Sequence, residues 1–463
     1  MINDEILREY DIRGIYGSSL KKNDIISIAD SISSIIINNK MPEIIIGHDG
    51  RDSSLEIKNL LVSSINNNGV NVIDISLVPT PLCYYATNKL DIPNSIMITG
   101  SHNPQEYNGF KFIINNEPFY GEQIKNLNNI KIKDNSEKIG VLKHVNIVST
   151  YLSEIPNKLS IKKDLKIAWD IGNGVVGSMF HSLLKKIPGN HIVINSSVDG
   201  NFPNHHPDPT VLKNNIQISK LVQDQNCDLG ISFDGDGDRL GIIDNKGQFV
   251  YSDIVLILIS KFMSLTIKDL TVVADVKCSQ ILFDNLKANS INILMSKTGH
   301  SLIKKKIKET NAHIAGEMSG HMFFNHDYYG FDDAIFAAFK FLEYLTAQEE
   351  KLSDIVNDYL IYSSSPEIKL YCNENVKFKN IELIINKIKE NSQNLILNEL
   401  DGIRVESKDF WYLIRASNTQ NCLVFRLECK KNLNFKEEIN NIQKFLQDFD
   451  LDLSELNSFY ETI

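Results

Sequence analysis

The sequence lacks the features that direct a chain to a membrane or to an oxidising compartment. Its six cysteines are scattered and have no C-x-x-C spacing, which predicts buried free thiols in a reducing compartment. The longest apolar run, near residues 254–259, is far shorter than the roughly 20 residues that cross a bilayer. The first five residues have neither a basic segment nor an apolar core, so we expect no secretion signal and a cytoplasmic location.

Positive charge is also scarce. Lys and Arg number 48 against 58 Asp and Glu, a formal net charge of −10, which argues against nucleic acid or an anionic membrane as the partner. We therefore expect small-molecule ligands, and a monomer or a weak homodimer. An acidic protein that binds an anion must concentrate its cations locally. The cations inside unusual stretches of this chain are Arg13, Lys111, Arg239, Lys277 and Arg415.

Length and periodicity predict the fold class. A chain of 463 residues is too long for one core. Apolar strands that end in Asp recur at residues 44–49, 166–170 and 272–275, and helical patterns alternate with them at 24–37, 215–225, 301–310 and 333–345. This alternation predicts α/β layers with mostly parallel, buried strands. After residue 363 the pattern changes to strands at 410–414 and 423–429 and a helix at 435–446.

We therefore predict three similar mixed α/β domains and a smaller C-terminal α+β domain. The predicted limits are residues 1–146, 147–248, 249–362 and 363–463.

The most unusual stretch is residues 99–111 (TGSHNPQEYNGFK), which begins where the apolar run 96–98 ends. Its Gly, Pro and Asn residues forbid regular structure. It places Ser101 beside His102 on a loop at a strand end, where α/β proteins keep their chemistry. Taken alone, the pair is more simply a polar turn whose serine caps the next element.

A second stretch, residues 233–240 (FDGDGDRL), places Asp234, Asp236 and Asp238 at alternate positions with flexible glycines between them. Three converging carboxylates repel one another unless a hard cation lies between them, and oxygen ligands suit Mg²⁺ or Ca²⁺. A calcium EF-hand loop is excluded, because it requires Gly and Glu where this chain has Arg239 and Asn245. A solvated acidic turn is the alternative.

Three further patterns are weak individually. Residues 415–419 (RASNT) supply a cation and short donors that suit a phosphate, although a polar hairpin turn is simpler. Residues 172–177 (GNGVVG) match a dinucleotide-binding pattern, but the next apolar run ends in Asn195 instead of an acid, which favours a tight strand–helix turn. His205 and His206 are adjacent and followed by proline, which favours a structural loop over a metal site.

Together these stretches resemble the α-D-phosphohexomutase family, in particular its phosphomannomutase/phosphoglucomutase branch. The matching segments, in the family's order, are residues 10–14 (YDIRG), 99–104, 234–239, 316–321 (GEMSGH) and 415–419. The resemblance implies three related α/β domains and a smaller fourth domain around a central cleft. It also implies an isomerase that moves a phosphoryl group between the 1- and 6-positions of mannose and glucose phosphates. A hexose 1,6-bisphosphate is then the intermediate and the activating phosphoryl donor.

The resemblance also implies residue roles. Ser101 is the phosphoryl carrier, active as phosphoserine, and Mg²⁺ is held by Ser101, Asp234, Asp236 and Asp238. Lys111 is a general acid/base whose pKa must be lowered by burial or by neighbouring cations. The other catalytic candidates are His102, Arg13, Arg239 and His321. The substrate-binding candidates are Tyr10, Lys277, His300, Glu317, Ser319, Arg415, Ser417, Asn418 and Thr419.

Few residues bear on substrate choice. Met318 favours the phosphomannomutase/phosphoglucomutase branch, because the phosphoglucosamine branch usually has Gln there. A phosphoglucosamine mutase is thus the near alternative, and an NAD-binding dehydrogenase the distant one. Glu317 and Ser319 would contact hydroxyls that glucose and mannose share.

The phosphate-binding stretch departs from the family at one position. The family commonly has Pro where this chain has Asn421, which frees the backbone and predicts weaker phosphate binding.

Overall fold

The structure, a computed structural model, describes residues 1–132, 139–391, 395–417 and 420–463. Four β-sheets follow one another along the chain, and each is formed by consecutive strands. The first three mix parallel and antiparallel pairs, and the fourth is antiparallel among its described strands. The predicted fold of three mixed α/β domains and a C-terminal α+β domain is confirmed.

The first sheet has the order β1-β5-β4-β2-β3-β7, with β6 paired to β5. Its strands are β1 (Ile12–Ile15), β2 (Glu43–His48), β3 (Asn71–Leu77), β4 (Ser95–Ile98), β5 (Tyr107–Ile114), β6 (Glu117–Pro118) and β7 (Leu142–His144). Its helices are α1 (Lys22–Asn38), α2 (Ser54–Asn67), α3 (Thr80–Leu90) and α4 (Glu122–Lys125).

The second sheet has the order β12-β11-β10-β8-β9. Its strands are β8 (Lys166–Asp170), β9 (Asn190–Ile194), β10 (Leu229–Phe233), β11 (Leu240–Ile243) and β12 (Phe249–Val250). The helices of this region are α5 (Ile147–Glu154), α6 (Gly177–Leu184) and α7 (Ile216–Gln225).

The third sheet has the order β14-β13-β15-β16. Its strands are β13 (Thr271–Asp275), β14 (Asn292–Ser296), β15 (Ile314–Gly316) and β16 (Met322–Phe324). Its helices are α8 (Ser252–Ser264), α9 (Gln280–Ala288), α10 (His300–Thr310), α11 (Ala334–Thr346) and α12 (Leu352–Asn357).

The fourth sheet has the order β17-β22-β21-β20-β19, with β18 paired to β22. Its strands are β17 (Tyr362–Ser364), β18 (Ile368–Tyr371), β19 (Ile396–Asn398), β20 (Ile403–Glu406), β21 (Phe410–Ala416) and β22 (Cys422–Lys430). Its helices are α13 (Glu374–Asn391), α14 (Phe435–Leu446) and α15 (Ser454–Thr462). Short 3₁₀ helices elsewhere span Asp4–Ile6, Asn126–Asn129, Pro156–Lys158 and Leu212–Asn215.

The first three sheets share a four-strand unit. The strands predicted from their Asp endings, β2, β8 and β13, each lie between two parallel partners. One of those partners then pairs with an antiparallel strand, which is β5, β11 or β16. The loops that leave the carboxyl ends of these strands can therefore meet, which is where α/β sheets place ligand sites.

The hydrophobic cores are shared unequally among the four domains. One continuous apolar cluster runs through the first three domains, whereas the fourth has its own core. The fourth domain contacts the third through buried Arg404, whose Nη1 donates to the carbonyls of Val276 and Cys278 at 2.7 Å. The guanidinium also stacks on Trp411, with Cζ 3.7 Å from the ring centroid.

All six cysteines are free thiols and five of them are buried. In the part of the chain that the structure describes, every helix is too short or too polar to cross a bilayer.

Asp333 connects two helices through a buried carboxyl group. It caps the N-terminus of α11, because its Oδ1 accepts from the backbone N–H of Phe336 at 2.9 Å. Its Oδ2 accepts from the hydroxyls of Tyr151 on α5, at 2.9 Å, and Tyr328, at 2.6 Å. Burial outweighs these hydrogen bonds and raises the pKa of Asp333 to about 6.

We expect Asp333 to make the protein less stable as the pH rises from about 4 to about 6. An unfolded Asp ionises near pH 4, whereas the folded carboxyl group has a pKa of about 6. The folded state therefore binds more protons in this window, so its stability falls with rising pH. Relative to Asp333→Asn, which cannot ionise, the wild type should lose on the order of 3 kcal/mol of unfolding free energy. Urea titrations of both proteins between pH 4 and pH 7 test this, and a difference that does not change with pH contradicts it.

Candidate active site

The loop between β4 and β5 places Ser101 at the floor of a cleft. Ser101 is buried and has a φ of +48°, a left-handed conformation that is uncommon for a residue with a side chain. Its N–H donates to Thr99 Oγ1 at 2.8 Å. Its Oγ lies 3.1 Å from His102 Nδ1 and donates to Asp234 Oδ2 at 3.2 Å. The serine of the first domain and the acidic loop of the second therefore meet.

The guanidinium of Arg51 holds the serine loop in this conformation. Arg51 is buried, and its Nε donates to Asp49 at 3.2 Å. Asp49 also accepts from the N–H of Gly100, a position where a Cβ would lie 2.5 Å from Arg51 Cζ. The loop carbonyls that accept from Arg51, at 2.6 to 3.0 Å, are those of Ser101, Asn103, Pro104 and Tyr107. From the sequence, residues 48–51 are a structural strand end with no distinct chemistry, and nothing there reveals that Arg51 supports the serine loop.

We expect Arg51→Lys to lower kcat by about 10- to 100-fold, the usual effect of losing a group that supports a site. An ammonium has three donors on one atom and cannot reach four spread carbonyls. KM should change little, because Arg51 lies behind the loop. Steady-state kinetics together with a melting curve test this. A kcat within twofold of wild type in a folded protein contradicts it.

The acidic loop between β10 and β11 buries three carboxylates. Asp234, Asp236 and Asp238 are all 0% exposed, and one oxygen from each lies within 4.8 Å of the others. Asp234 Oδ1 shapes the loop by accepting three backbone N–H groups at 2.9 to 3.1 Å, those of Gly237, Asp238 and Arg239. Burial and the charges of its two neighbours raise the pKa of Asp234 well above its usual value.

Three groups from the first domain converge on Asp236. Its Oδ2 accepts from Lys111 Nζ at 2.7 Å, from Thr80 Oγ1 at 2.6 Å and from Thr99 Oγ1 at 3.3 Å. Burial acts to raise the pKa of Asp236, but the ammonium of Lys111 outweighs it, so the pKa is lowered. Thr80 is a second residue that sequence reasoning missed, and nothing in its sequence neighbourhood signals the contact.

The acidic loop fits a hard divalent cation. Its donors are all oxygens, and among the described residues neither Asp236 Oδ1 nor Asp238 Oδ1 has a hydrogen-bond partner. A second group of possible ligands joins Asp238 to His321 and Asp332. That second group includes an imidazole nitrogen, whereas Mg²⁺ prefers oxygen ligands, so the three-aspartate group is the better magnesium site.

The pKa of Lys111 is shifted in the direction opposite to the expected one. Its ammonium lies between two carboxylates, 2.7 Å from Asp236 Oδ2 and 2.5 Å from Asp238 Oδ2. Burial alone lowers the pKa of Lys111, but these two charges dominate and raise it above the usual value for lysine. The expectation of a lowered pKa was wrong for this state of the site, because sequence spacing places Lys111 near Ser101 and does not reveal the carboxylates.

His102 and Arg13 flank the serine. Burial, followed by the charges of Arg239 and Arg13, holds the pKa of His102 well below its usual value, so the ring is neutral at pH 7. Arg13 Nη1 donates to Asn103 Oδ1 at 2.6 Å, and its Nη2 pairs with Asp11.

A backbone bridge joins the acidic loop to the loop of residues 316–321. Arg239 and His321 pair in an antiparallel bridge, and Leu240 N–H donates to Gly320 O at 3.0 Å. The side chains also meet, because Arg239 Nε donates to His321 Nε2 at 3.1 Å. His300 stacks on His321, with 5.8 Å between the ring centroids.

These groups line one cavity of about 480 Å³. Its walls include the predicted catalytic residues Arg13, Ser101, His102, Lys111, Arg239 and His321. They also include the predicted substrate-binding residues Tyr10, Lys277, His300, Glu317 and Ser319.

Two hydrogen bonds order the part of the cavity wall that contains Glu317 and Tyr10. Glu317 Oε1 accepts from Gly299 N–H at 2.7 Å, and Tyr10 OH donates to Thr298 O at 2.8 Å.

The fourth domain approaches this cavity through Gln420. Arg415 is buried nearby, and its Nε donates to Asp401 at 3.0 Å. Ser417 Oγ accepts from Gln420 N–H at 3.1 Å. Asn418 and Thr419 lie outside the described residues.

The two remaining sequence patterns, the glycine-rich turn and the histidine pair, make structural contacts. A Cβ on Gly174 would lie 2.9 Å from the carbonyls of Asp234 and Gly235, and Val175 N–H donates to Gly235 O at 3.0 Å. The glycine-rich turn thus has a packing reason for its glycines. His205 Nε2 lies 2.8 Å from Asp170 Oδ2, in keeping with a structural loop.

Comparisons with known proteins agree with this architecture. Models of the phosphoglucomutase/phosphomannomutase α/β/α domains I, II and III match residues 4–138, 149–247 and 251–362. The chain is 38% identical over 439 residues to a phosphomannomutase/phosphoglucomutase of Pseudomonas aeruginosa, covering 95% of this chain and 94% of that protein. It is 35% identical over 429 residues to a phosphoglucomutase of Neisseria meningitidis, covering 92% and 93%. A crystal structure of a phosphoglucomutase/phosphomannomutase family protein from Burkholderia thailandensis superposes with a TM-score of 0.90 at 31% identity, covering 98% and 100%.

Proposed function

The chain belongs to the phosphoglucomutase/phosphomannomutase family, and from that premise we propose that it interconverts hexose 1-phosphate and hexose 6-phosphate through a phosphoserine at Ser101. It is an isomerase that acts by phosphoryl transfer. The phosphoryl group passes from Ser101 Oγ to the free hydroxyl of the substrate, which gives a hexose 1,6-bisphosphate. The bisphosphate reorients and returns its other phosphoryl group to the same oxygen.

One observation supports this most strongly. Ser101 Oγ lies 3.2 Å from Asp234 Oδ2, and it faces a cavity of about 480 Å³ walled by cationic and imidazole side chains. A nucleophile at the junction of an acidic loop and an anion-binding cleft suits the transfer of a charged phosphoryl group.

The site requires positive charge, because the phosphoryl transition state spreads negative charge over three oxygens. Asp234, Asp236, Asp238 and an oxygen of phosphorylated Ser101 would hold Mg²⁺, and the bound ion would supply part of that charge. Arg239 and Arg13 supply more from the protein side. His102 is neutral and lies 3.1 Å from Ser101 Oγ, so its ring can bond that oxygen without adding charge.

We propose that Lys111 transfers the proton of the sugar hydroxyl. Its pKa is raised by the charges of Asp236 and Asp238. The Lys111 ammonium can therefore exchange a proton near neutral pH only when other positive charge in the site offsets the negative charge of Asp236 and Asp238. Proton transfer by Lys111 is therefore restricted to the state in which the site is occupied.

The substrate must bind in two orientations. We propose that Arg415, Ser417, Asn418 and Thr419 hold the phosphate that is not reacting, with Lys277 and Tyr10 beside them. Glu317, Ser319 and His300 would contact the sugar between the two phosphates. Because Glu317 and Ser319 address hydroxyls that mannose and glucose share, both sugars should react.

A direct experiment tests the function. The intact mass of the purified protein should show one added phosphoryl group on Ser101, which incubation with glucose or mannose 1-phosphate removes. Assays with mannose 1-phosphate, glucose 1-phosphate and glucosamine 6-phosphate then rank the substrates, and preference for the last would assign a phosphoglucosamine mutase. If glucose 1,6-bisphosphate and Mg²⁺ cannot phosphorylate Ser101, the mutase proposal fails.

The remaining expectations are also proposals. We place the protein in the cytoplasm, without nucleic acid or membrane as a partner, and as a monomer or a weak homodimer. We also propose the domain limits 1–146, 147–248, 249–362 and 363–463. The hexose 1,6-bisphosphate is proposed as activator because it can restore phosphoserine after hydrolysis.

A further inference from the structure

Asp332 is a buried carboxylate behind the cleft that the sequence analysis did not single out. It is 0% exposed and lies between β16 and α11. Its Oδ1 accepts from Lys304 Nζ on α10 at 3.0 Å. Its Oδ2 lies 3.2 Å from His321 Nδ1. Asp332 therefore faces a cation on one side and a ring of the proposed site on the other.

The contact with Arg239 determines which nitrogen of His321 carries the proton. An arginine side chain has donors only, and Arg239 Nε lies 3.1 Å from His321 Nε2. Nε2 must therefore accept and carries no proton, which places the ring proton on Nδ1. That N–H faces Asp332 Oδ2, which accepts it. The ring is thus held at both ends, by a donor in front and an acceptor behind.

Of the two carboxylates that face His321 Nδ1, Asp332 is the one within hydrogen-bond distance. Asp238 Oδ1 also faces this nitrogen, but at 3.7 Å it is too far for a hydrogen bond. The ammonium of Lys304 balances the charge of Asp332, and it is fixed above the Tyr84 ring with Nζ 4.1 Å from the centroid. A buried carboxylate stays in place only with such a partner.

We propose that Asp332 and Lys304 form a positioning pair that acts through His321 on Arg239. The inference rests on the proposed mutase function. It assigns His321 the task of holding the Arg239 guanidinium toward the phosphoryl group, with Nδ1 protonated and Nε2 accepting.

The variant Asp332→Asn tests the proposal because an amide cannot serve both neighbours. If its oxygen faces His321, its NH₂ group faces the Lys304 ammonium, and if it turns around, its NH₂ group faces the His321 N–H. We expect kcat to fall by about 10- to 100-fold with KM within about threefold, as for other groups that orient a site residue.

The double variant Asp332→Asn/Lys304→Gln provides the rescue. The glutamine oxygen can accept from the asparagine NH₂ group, which lets the asparagine oxygen face His321 again. We expect kcat to recover by about 10-fold or more over the single variant. Lys305→Gln, an exposed lysine on the same helix, is the matched control and should leave kcat unchanged.

The ring tautomer is a readout that a merely structural role would not change. In protein labelled with ¹⁵N-histidine, His321 should show the Nδ1–H tautomer in the wild type and in the double variant. Asp332→Asn should show a mixture. The signal is assigned by its loss in His321→Gln. It needs no substrate, so it tests the proposal even if the mutase assay fails for the wild type.

Three results would overturn the proposal. They are an Nε2–H tautomer in the wild type, an unchanged kcat in Asp332→Asn, or a double variant no better than the single one. If Asp332→Asn does not fold, the wild-type tautomer alone decides, because the Nε2–H form is incompatible with the Arg239 contact. Absence of mutase activity in the wild type would instead refute the proposed function.

Discussion

Ser101→Ala is expected to abolish hexose phosphate interconversion, with a loss of at least about 10⁴-fold in kcat, as for other enzymes that lose a nucleophile. Alanine has no oxygen to carry the phosphoryl group. The neighbouring nucleophile, His102, is a neutral ring whose pKa is well below its usual value, and it cannot replace a serine oxygen in this position. Coupled assays and phosphopeptide mapping measure the effect.

The loss should be chemical and not structural. Ser101 Oγ makes two contacts, and Arg51 and Thr99 hold the loop through backbone atoms that alanine keeps. The melting temperature of Ser101→Ala should therefore stay close to that of the wild type. Ser18→Ala, an exposed serine of the same domain, serves as the control and should keep full activity. If Ser101→Ala retains even a few per cent of wild-type kcat, the phosphoserine mechanism is wrong.

Asp238→Asn is expected to remove most of the response to Mg²⁺. Asp238 Oδ1 has no hydrogen-bond partner among the described residues, so it is free to bind a cation. An amide oxygen is neutral and a weaker ligand for a hard divalent ion. We expect kcat to fall by about 10²–10³-fold, the usual effect of losing one stabilising charge interaction in a transition state. The Mg²⁺ concentration for half-maximal activity should rise as well.

Binding can be measured without turnover. Mg²⁺ that binds the folded state raises the melting temperature of the wild type, and Asp238→Asn should lose most of that increase. Asp224→Asn, an exposed carboxylate of α7 in the same domain, is the control and should keep it. Adding EDTA should abolish wild-type activity, and excess Mg²⁺ should restore it. An unchanged Mg²⁺-induced shift in Asp238→Asn would exclude Asp238 as a ligand.

Much of this architecture could be predicted from local sequence. The strands that end in Asp170 and Asp275 were located by their apolar runs, because a buried parallel strand leaves a strong pattern. The three aspartates were predicted as a metal site because repeated acids with glycines between them have few explanations on a loop at a strand end. Ser101 was predicted from the family resemblance, because alone it is more simply part of a polar turn.

The rest depends on contacts between residues that are far apart in the chain, within one domain or between two, and local sequence does not encode them. Arg51 and Thr80 act on loops about 50 and 156 residues away in the chain. Asp332 looks like an ordinary acid at a helix start, and only its packing against Lys304 and His321 reveals a role. The raised pKa of Lys111 likewise follows from two carboxylates of another domain.

The unequal division of the cores has a consequence for how the cleft opens. Separating the first three domains would expose their shared apolar cluster, whereas the fourth domain has its own core and shares with the third only a small apolar cluster around Val276, Trp411 and Leu413. A tilt of the fourth domain would therefore cost less apolar burial than a separation of the first three. We expect the cleft to open on the side of the fourth domain, which carries Arg415 and Ser417, while the first three domains stay together.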